Sequence, residues 1–135
     1  MIKTAITEMF GIEYPIICGA MMWLATPPLC AAISQAGGMG NLTAGNYETE
    51  DAFRQAIHEV RRRTDKPFMI GLTLLPSIRI TAEHHMMYVR VCEEERVAGI
   101  EISGTPLDKV IGPEGVERLK KAGVKLFHKV GSVRH

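Results

Sequence analysis

Residues 14–40, YPIICGAMMWLATPPLCAAISQAGGMG, decide the fold that this sequence predicts. The apolar run Pro15–Cys18 is too short for a helix and is bounded by proline and glycine, which predicts a buried strand. An apolar loop follows that strand and carries Met21, Met22 and Trp23 in succession. Loops are usually polar, so we expect this loop to be covered, either by protein or by a flat ligand.

A helix and a second strand complete this unit. Thr26 is a suitable N-cap, and Pro27–Pro28 fits a first helical turn, where a missing N–H is tolerated. The apolar spacing of Leu29–Ala36 is helical, and Gly37–Gly38 is expected to end the helix. Met39–Ala44 predicts the next strand, and its glycine is typical of a close approach by a ligand or another backbone.

The rest of the chain alternates between helical and strand patterns. Helices are predicted over 49–63, 80–95 and 107–122, the last restarting at Gly112-Pro113, and strands over 68–75, 98–103 and 125–130. This alternation predicts an α/β fold with a parallel sheet and right-handed crossovers. Two architectures remain: a small doubly wound sheet, or part of a (β/α)8 barrel, which needs roughly 250 residues when complete. Apolar residues before the first strand fit one side of a short helix or a plug: Ile2, Ile6, Met9 and Phe10.

Composition limits the classes of function. The chain has 135 residues, the size of one domain, and a net charge of +1, which gives no electrostatic reason to expect nucleic acid or a membrane as partner. No apolar run approaches the length of a membrane span, and Met1–Phe10 lacks the apolar core of a signal peptide. The cysteines, Cys18, Cys30 and Cys92, are odd in number and are expected to be reduced, the first two inside buried elements. We therefore expect a cytoplasmic protein with a small-molecule substrate.

Several polar residues are candidates for chemistry. His128 and Lys129 alternate on the last strand, so only one of them can face a barrel interior, and we expect His128 to be the one on the outside. Glu101 interrupts a buried strand and needs a partner, either as a general base or, as we favour, as an ion-paired residue. Neighbouring helical residues His84-His85 point about 100° apart and are not expected to share a metal. The acidic run Glu93–Glu95 is interpreted as a solvated helix end.

Several segments together resemble one family of flavin enzymes. They are Tyr14–Ile17, Ala20-Met21, Ala25–Pro27, Ala31–Gly40, Thr64–Phe68, Arg118–Lys125 and His128–His135. They are similar in continuous order to the opening of the nitronate monooxygenases, formerly called 2-nitropropane dioxygenases. The flavin-dependent type II enoyl-acyl-carrier-protein reductases share this opening.

The resemblance implies a partial (β/α)8 TIM barrel, about four βα units and a fifth strand, with residues 1–135 as the N-terminal half of an FMN-binding domain. It implies an FMN-dependent oxidation of alkyl nitronates with O2, or, as the alternative, an enoyl-acyl-carrier-protein reductase. The expected cofactor-binding residues lie at the carboxyl ends of the strands: Ala20, Met21, Met22, Gly71 and Lys129.

The chain departs from the family pattern in three places. Cys18 replaces a frequent glutamine, and Met69–Gly71 replaces a Gly-Val-Asn whose asparagine contacts FMN. The family's catalytic histidine would lie beyond His135, so no catalytic residue and no metal ligand is assigned. We expect the chain alone to bind FMN weakly or not at all, to be inactive, and to associate with itself through open sheet edges, which would make a non-catalytic fragment the further alternative.

Overall fold

The computed structural model describes residues 2–75 and 77–132. The four strands within these residues form one parallel sheet. The strands are β1 (Gly40–Thr43), β2 (Phe68–Leu74), β3 (Gly99–Gly104) and β4 (Lys125–His128). They lie side by side in chain order, as predicted for successive βα units. Their register places Gly71 beside Thr43 on one side and beside Glu101 on the other.

The helices that connect the strands pack on one face of this sheet. They are α2 (Pro27–Gln35), α3 (Glu50–Arg63), α4 (Ala82–Glu94) and α5 (Leu107–Lys121), and each contacts the next along the chain. Every second strand residue points into the core beneath them, including the fully buried Leu42, Ile70 and Ile100. A doubly wound sheet would carry helices on both faces, so this one-sided arrangement favours the barrel.

The first helix covers the opposite face at the amino ends of the strands. This helix, α1 (Ala5–Phe10), brings the Phe10 ring to a centroid distance of 5.3 Å from the Phe127 ring. Phe10 joins Met39 and Met69 in a second apolar cluster separate from the main core. Of the two alternatives, the short helix is confirmed, but its predicted apolar side is only partly buried, since Ile2 and Met9 are exposed.

The prediction of a strand over Pro15–Cys18 is wrong, since the structure has no strand at these residues. It makes one isolated parallel bridge, between Ile17 and Met39, with hydrogen bonds of 2.8 and 2.9 Å on either side. Pro15 has no N–H to donate, and Ile16 is largely exposed, so the pairing does not propagate. The segment still lies beside β1, at the position of a first barrel strand, and Cys18 is only partly buried.

The helix ends mostly follow the predicted capping signals. Thr26 precedes α2 and Thr49 caps α3, although only Thr49 forms a side-chain cap hydrogen bond. The predicted restart of α5 is confirmed at Gly112, which has φ of 72°. Within residues 2–75 and 77–132, no helix has both the length and the hydropathy needed to cross a bilayer.

The acidic end of α4 was predicted to be solvated, but the structure shows it in ion pairs. The Glu95 side chain is mostly buried and accepts hydrogen bonds from Arg54 Nη1 at 3.1 Å and from Arg61. Glu93 pairs with Arg118 of α5 at 3.3 Å. These acidic residues therefore join α4 to both neighbouring helices.

Candidate functional site

A buried carboxylate organises the sheet face that points away from α2–α5. Glu101 on β3 is 9% exposed, and its Oε2 accepts from Asn41 Nδ2 at 2.6 Å and from the Ala20 main-chain N–H at 3.1 Å. Its Oε1 lies 3.3 Å from Lys129 Nζ. The expectation that Glu101 is ion-paired is therefore confirmed. One side chain ties the apolar loop, β1 and the residue after β4 to β3.

Gly71 lies where the apolar loop approaches the sheet most closely. A Cβ at this position would be 2.2 Å from Ala20 Cβ and 2.9 Å from Asn41 Oδ1. Only glycine leaves room for Ala20 to reach Glu101. The prediction of Gly71 as a cofactor contact stays a prediction, since its surroundings show a role in seating the loop.

The apolar loop itself is uncovered. Met21, Met22 and Trp23 are 40%, 47% and 62% exposed. Trp23 has a positive φ of 65° and donates its main-chain N–H to Asn46 Oδ1 at 2.9 Å, and the Arg79 guanidinium lies 4.6 Å from the Trp23 ring centroid. Non-glycine residues rarely adopt a positive φ, and Asn46 and Arg79 hold Trp23 in this conformation, so the loop has a defined conformation. This loop is therefore a preformed apolar surface at the carboxyl end of the sheet.

Polar groups lie at the same end of the sheet. Lys129 is about half exposed and shares the side of the strand that Phe127 occupies. Ser103 Oγ donates to Thr73 Oγ1 at 3.3 Å, and both residues follow the inward-facing alternation of Gly71 and Glu101. His128 is exposed, with Nε2 3.2 Å from the Gly104 carbonyl oxygen, on the opposite side of the strand from Lys129.

A cavity of about 110 Å³ adjoins the apolar loop. Met22, Gly71, Thr73 and Tyr88 line it together with His85, which is buried and whose Nε2 has no hydrogen-bond partner among the described residues. The two adjacent histidines diverge, as predicted, because His84 Nδ1 lies 2.9 Å from Thr81 Oγ1 near the helix start. No set of three or more metal-ligating side chains occurs in the described part of the chain.

Two residues of this region were missed by sequence reasoning. Asn41 is a polar residue inside a short buried strand, and that was the available signal. His85 was considered only as half of a metal pair, although its helical spacing with Tyr88, Val89 and Cys92, all of which are buried, could have placed it on the core face.

Burial sets the protonation of the thiols near the site. Desolvation raises the pKa of Cys30 to about 12, and desolvation followed by the charge of Glu101 raises the pKa of Cys18. A thiol with a raised pKa is a poor nucleophile at neutral pH. Neither Cys18 nor Cys30 is therefore expected to act as a nucleophile at neutral pH.

His85 makes stability depend on pH. Its pKa lies below the ordinary 6.5, mainly because of burial and then because of His84, while the Thr73 backbone opposes the shift. The unfolded chain binds the proton more readily, so the free energy of unfolding should fall as pH decreases below about 6.5. We expect His85→Gln to flatten this dependence between about pH 7 and pH 5 in urea titrations.

His128→Gln, which removes an exposed imidazole on the last strand, is the matched control. Measurements above pH 5 avoid the loss from Glu50 and Glu95, whose lowered pKa values remove stability below their ordinary 4.5. An unchanged slope in His85→Gln would contradict the assignment.

Comparison with known proteins decides the family. A family model described as nitronate monooxygenase matches residues 3–134. The chain belongs to the nitronate monooxygenase family. A nitronate monooxygenase of Pseudomonas aeruginosa is 44% identical over 66 residues, which are 49% of this chain and 18% of that protein. A (3aS,4S,5R,7aS)-5-hydroxy-7a-methyl-1-oxo-octahydro-1H-indene-4-carboxyl-CoA dehydrogenase of Rhodococcus jostii is 31% identical over 99% of this chain.

Solved structures confirm the partial (β/α)8 barrel. FabK from Thermotoga maritima matches with a TM-score of 0.81 and 36% identity, covering 98% of this chain and 39% of its own. A nitroalkane oxidase from Streptomyces ansochromogenes shares the fold, with a TM-score of 0.70 and 22% identity. The chain spans 35% of the Rhodococcus relative, about a third of its length. The nitronate monooxygenase resemblance and the barrel prediction are thus both confirmed.

The structure places the predicted cofactor residues around one centre. Ala20 and Lys129 both contact Glu101, and Gly71 lies beneath Ala20. Met21 and Met22 extend from Ala20 as the exposed apolar surface. These five residues, expected from the family, therefore share one end of the sheet.

Proposed function

We propose that this chain forms one wall of an FMN site in an oxidoreductase that oxidises alkyl nitronates with O2. The observation that carries this proposal is the Glu101 centre, which holds the Ala20 loop and Lys129 together at the carboxyl ends of the strands. Ligands of parallel α/β barrels bind at this end. Membership of the nitronate monooxygenase family supports the reaction class.

The chemistry of the available groups fits a flavin ring. Met21 and Met22 offer exposed apolar area to a flat ring, and methionine packs well against aromatic systems. The Lys129 ammonium and the Thr73 hydroxyl are exposed and can donate hydrogen bonds to ring oxygen or nitrogen atoms. Bound FMN would supply the electron acceptor for the substrate. The chain's own residues would orient the ring and exclude water from one side.

Other parts of such a site belong to the remaining barrel. Phosphate binding in these barrels usually comes from loops after the seventh and eighth strands. We infer that the phosphate-binding loops and the proton-transferring histidine are supplied by residues other than these 135. The chain alone is then expected to bind FMN weakly and not to turn over.

FMN titration of the full chain tests the cofactor proposal. We expect Lys129→Gln to weaken FMN binding by roughly tenfold, about 1.4 kcal/mol, because one charged donor is lost. Lys125→Gln is the control, since Lys125 is exposed at the other end of β4. Quenching of FMN fluorescence measures both. Equal affinities for the Lys129→Gln and wild-type chains would overturn the assignment of Lys129.

A second candidate is an enoyl-acyl-carrier-protein reductase that uses NAD(P)H. The likeness to FabK, at 36% identity and a TM-score of 0.81, favours it specifically. The two are separated in a protein that joins this chain to the remaining barrel of a family member. O2 uptake with propyl-2-nitronate would support the first candidate, and NAD(P)H oxidation with a crotonyl thioester would support the second.

A further inference from the structure

The cavity next to the apolar loop is lined by elements distant in sequence. Met22 lines it from the loop, Leu72 from β2, Ile80 from the segment before α4, and His85 and Tyr88 from α4. Its volume is about 110 Å³. An apolar cavity of about 150 Å³ can hold benzene, so this one is large enough for a ligand of roughly four or five non-hydrogen atoms.

His85 lines the cavity and has one ring nitrogen, Nε2, without a hydrogen-bond partner among the described residues. It is 9% exposed, and its Nε2 is buried with no hydrogen bond to any described residue. Two of the neighbouring hydroxyls are already used, since Tyr88 Oη donates to the Tyr47 carbonyl at 2.6 Å and Thr43 Oγ1 to the Met21 carbonyl at 3.2 Å. A buried imidazole nitrogen without a partner destabilises the protein unless something else pairs with it.

The cavity walls decide the class of ligand. None of the lining residues is an acid, a lysine or an arginine, and aliphatic side chains form much of the wall. An ion would lose its hydration here without a counter-charge. A neutral carbonyl or hydroxyl needs only one hydrogen bond, which the imidazole can provide.

We propose that this cavity is a binding site for a small neutral oxygen-bearing aliphatic group, with His85 as its hydrogen-bond partner. The carbon atoms of the group would pack against Leu72, Ile80 and Met22. Because Met22 of the apolar loop and Gly71 beneath that loop both line the cavity, the occupant lies beside the region assigned to the flavin. Its role as a specificity pocket for the substrate rests on the proposed function, whereas the binding itself does not.

Two probes of the same shape test the proposal with the full chain. 2-Butanone carries the carbonyl oxygen, and 2-methylbut-1-ene replaces that oxygen with a CH2 group. We expect 2-butanone to shift the His85 imidazole and Ile80 methyl NMR signals, with an affinity roughly fivefold above that of the hydrocarbon, the effect of one neutral hydrogen bond. Equal affinities, or shifts confined to other residues, would overturn the proposal.

Two variants at His85 separate hydrogen bonding from shape. His85→Gln keeps a donor and an acceptor and should retain a preference for the ketone, while His85→Leu should lose it. His128→Gln is the control and should bind both probes like wild type. A His85→Leu chain that still prefers the ketone would contradict the assignment, and if this variant does not fold, the probe pair and His85→Gln decide. FMN titrations of the same variants measure flavin binding separately from ketone binding, so an error in the cavity proposal can be distinguished from an error in the proposed function.

Discussion

Replacing Gly71 with alanine is expected to displace the apolar loop and to destabilise the protein by about 2 kcal/mol. The new Cβ would lie 2.2 Å from Ala20 Cβ, far inside van der Waals contact, and 2.9 Å from Asn41 Oδ1. Relief of that clash moves Ala20 away from the sheet and breaks its 3.1 Å hydrogen bond to Glu101. Urea unfolding measures the loss of stability, and limited proteolysis reports the release of the loop.

Gly19, in the apolar loop itself, supplies the control. A Cβ at Gly19 would have no heavy atom within 4 Å, and Gly19 does not have a positive φ. Gly19→Ala should therefore leave stability and proteolysis nearly unchanged. FMN affinity should fall more than tenfold in Gly71→Ala and remain near wild type in Gly19→Ala, a difference above about 1.4 kcal/mol. Similar behaviour of the two variants would show that the close approach at Gly71 does not position the loop.

Removing the Glu101 carboxylate is expected to cost about 3 kcal/mol. Glu101→Ala leaves the buried Asn41 amide and the Ala20 N–H without their acceptor and leaves Lys129 without its carboxylate. Because Asn41 is 1% exposed, water has little access to replace the lost bond. Urea unfolding of the full chain gives the difference in free energy.

Glu101→Gln separates the contribution of the buried hydrogen bonds from that of the ion pair with Lys129. The amide oxygen can still accept from Asn41 and from Ala20, whereas the amide NH2 takes the place of the oxygen that faces Lys129, so the ion pair with Lys129 is lost. Lys129 is about half exposed, which limits that contribution to less than about 1 kcal/mol. We therefore expect Glu101→Gln to be clearly more stable than Glu101→Ala. Equal stabilities would mean that the ion pair, rather than the buried hydrogen bonds, holds the loop.

Much of the fold follows from local patterns. The apolar run Phe68–Leu74 became the central strand β2, and the helical spacing after Thr49 became α3 with Thr49 as its cap. Gly112 broke α5 as its backbone freedom predicted. Pro15–Cys18 failed because its apolar composition indicates burial but not a partner for each N–H and carbonyl group.

The candidate site was only partly accessible to the same reasoning. Glu101 could be identified as a buried carboxylate in need of a partner, because charge in a strand core is costly. Its partners could not be named, because Asn41 is 60 and Ala20 is 81 residues away along the chain. His85 was considered with His84 as a metal pair, while its burial beside a cavity depends on how α4 packs against β2.

The sequence by itself determined the alternation of strands and helices, the apolar character of the loop after Cys18 and the family resemblance, since each depends on neighbouring residues or on residue order. Tertiary structure alone decided that Glu101 joins the loop to Asn41 and Lys129, that Gly71 must lack a side chain, and that His85 borders a cavity. These contacts join residues far apart in the chain, and their distances are set by how the sheet twists and the helices pack, which local periodicity does not encode.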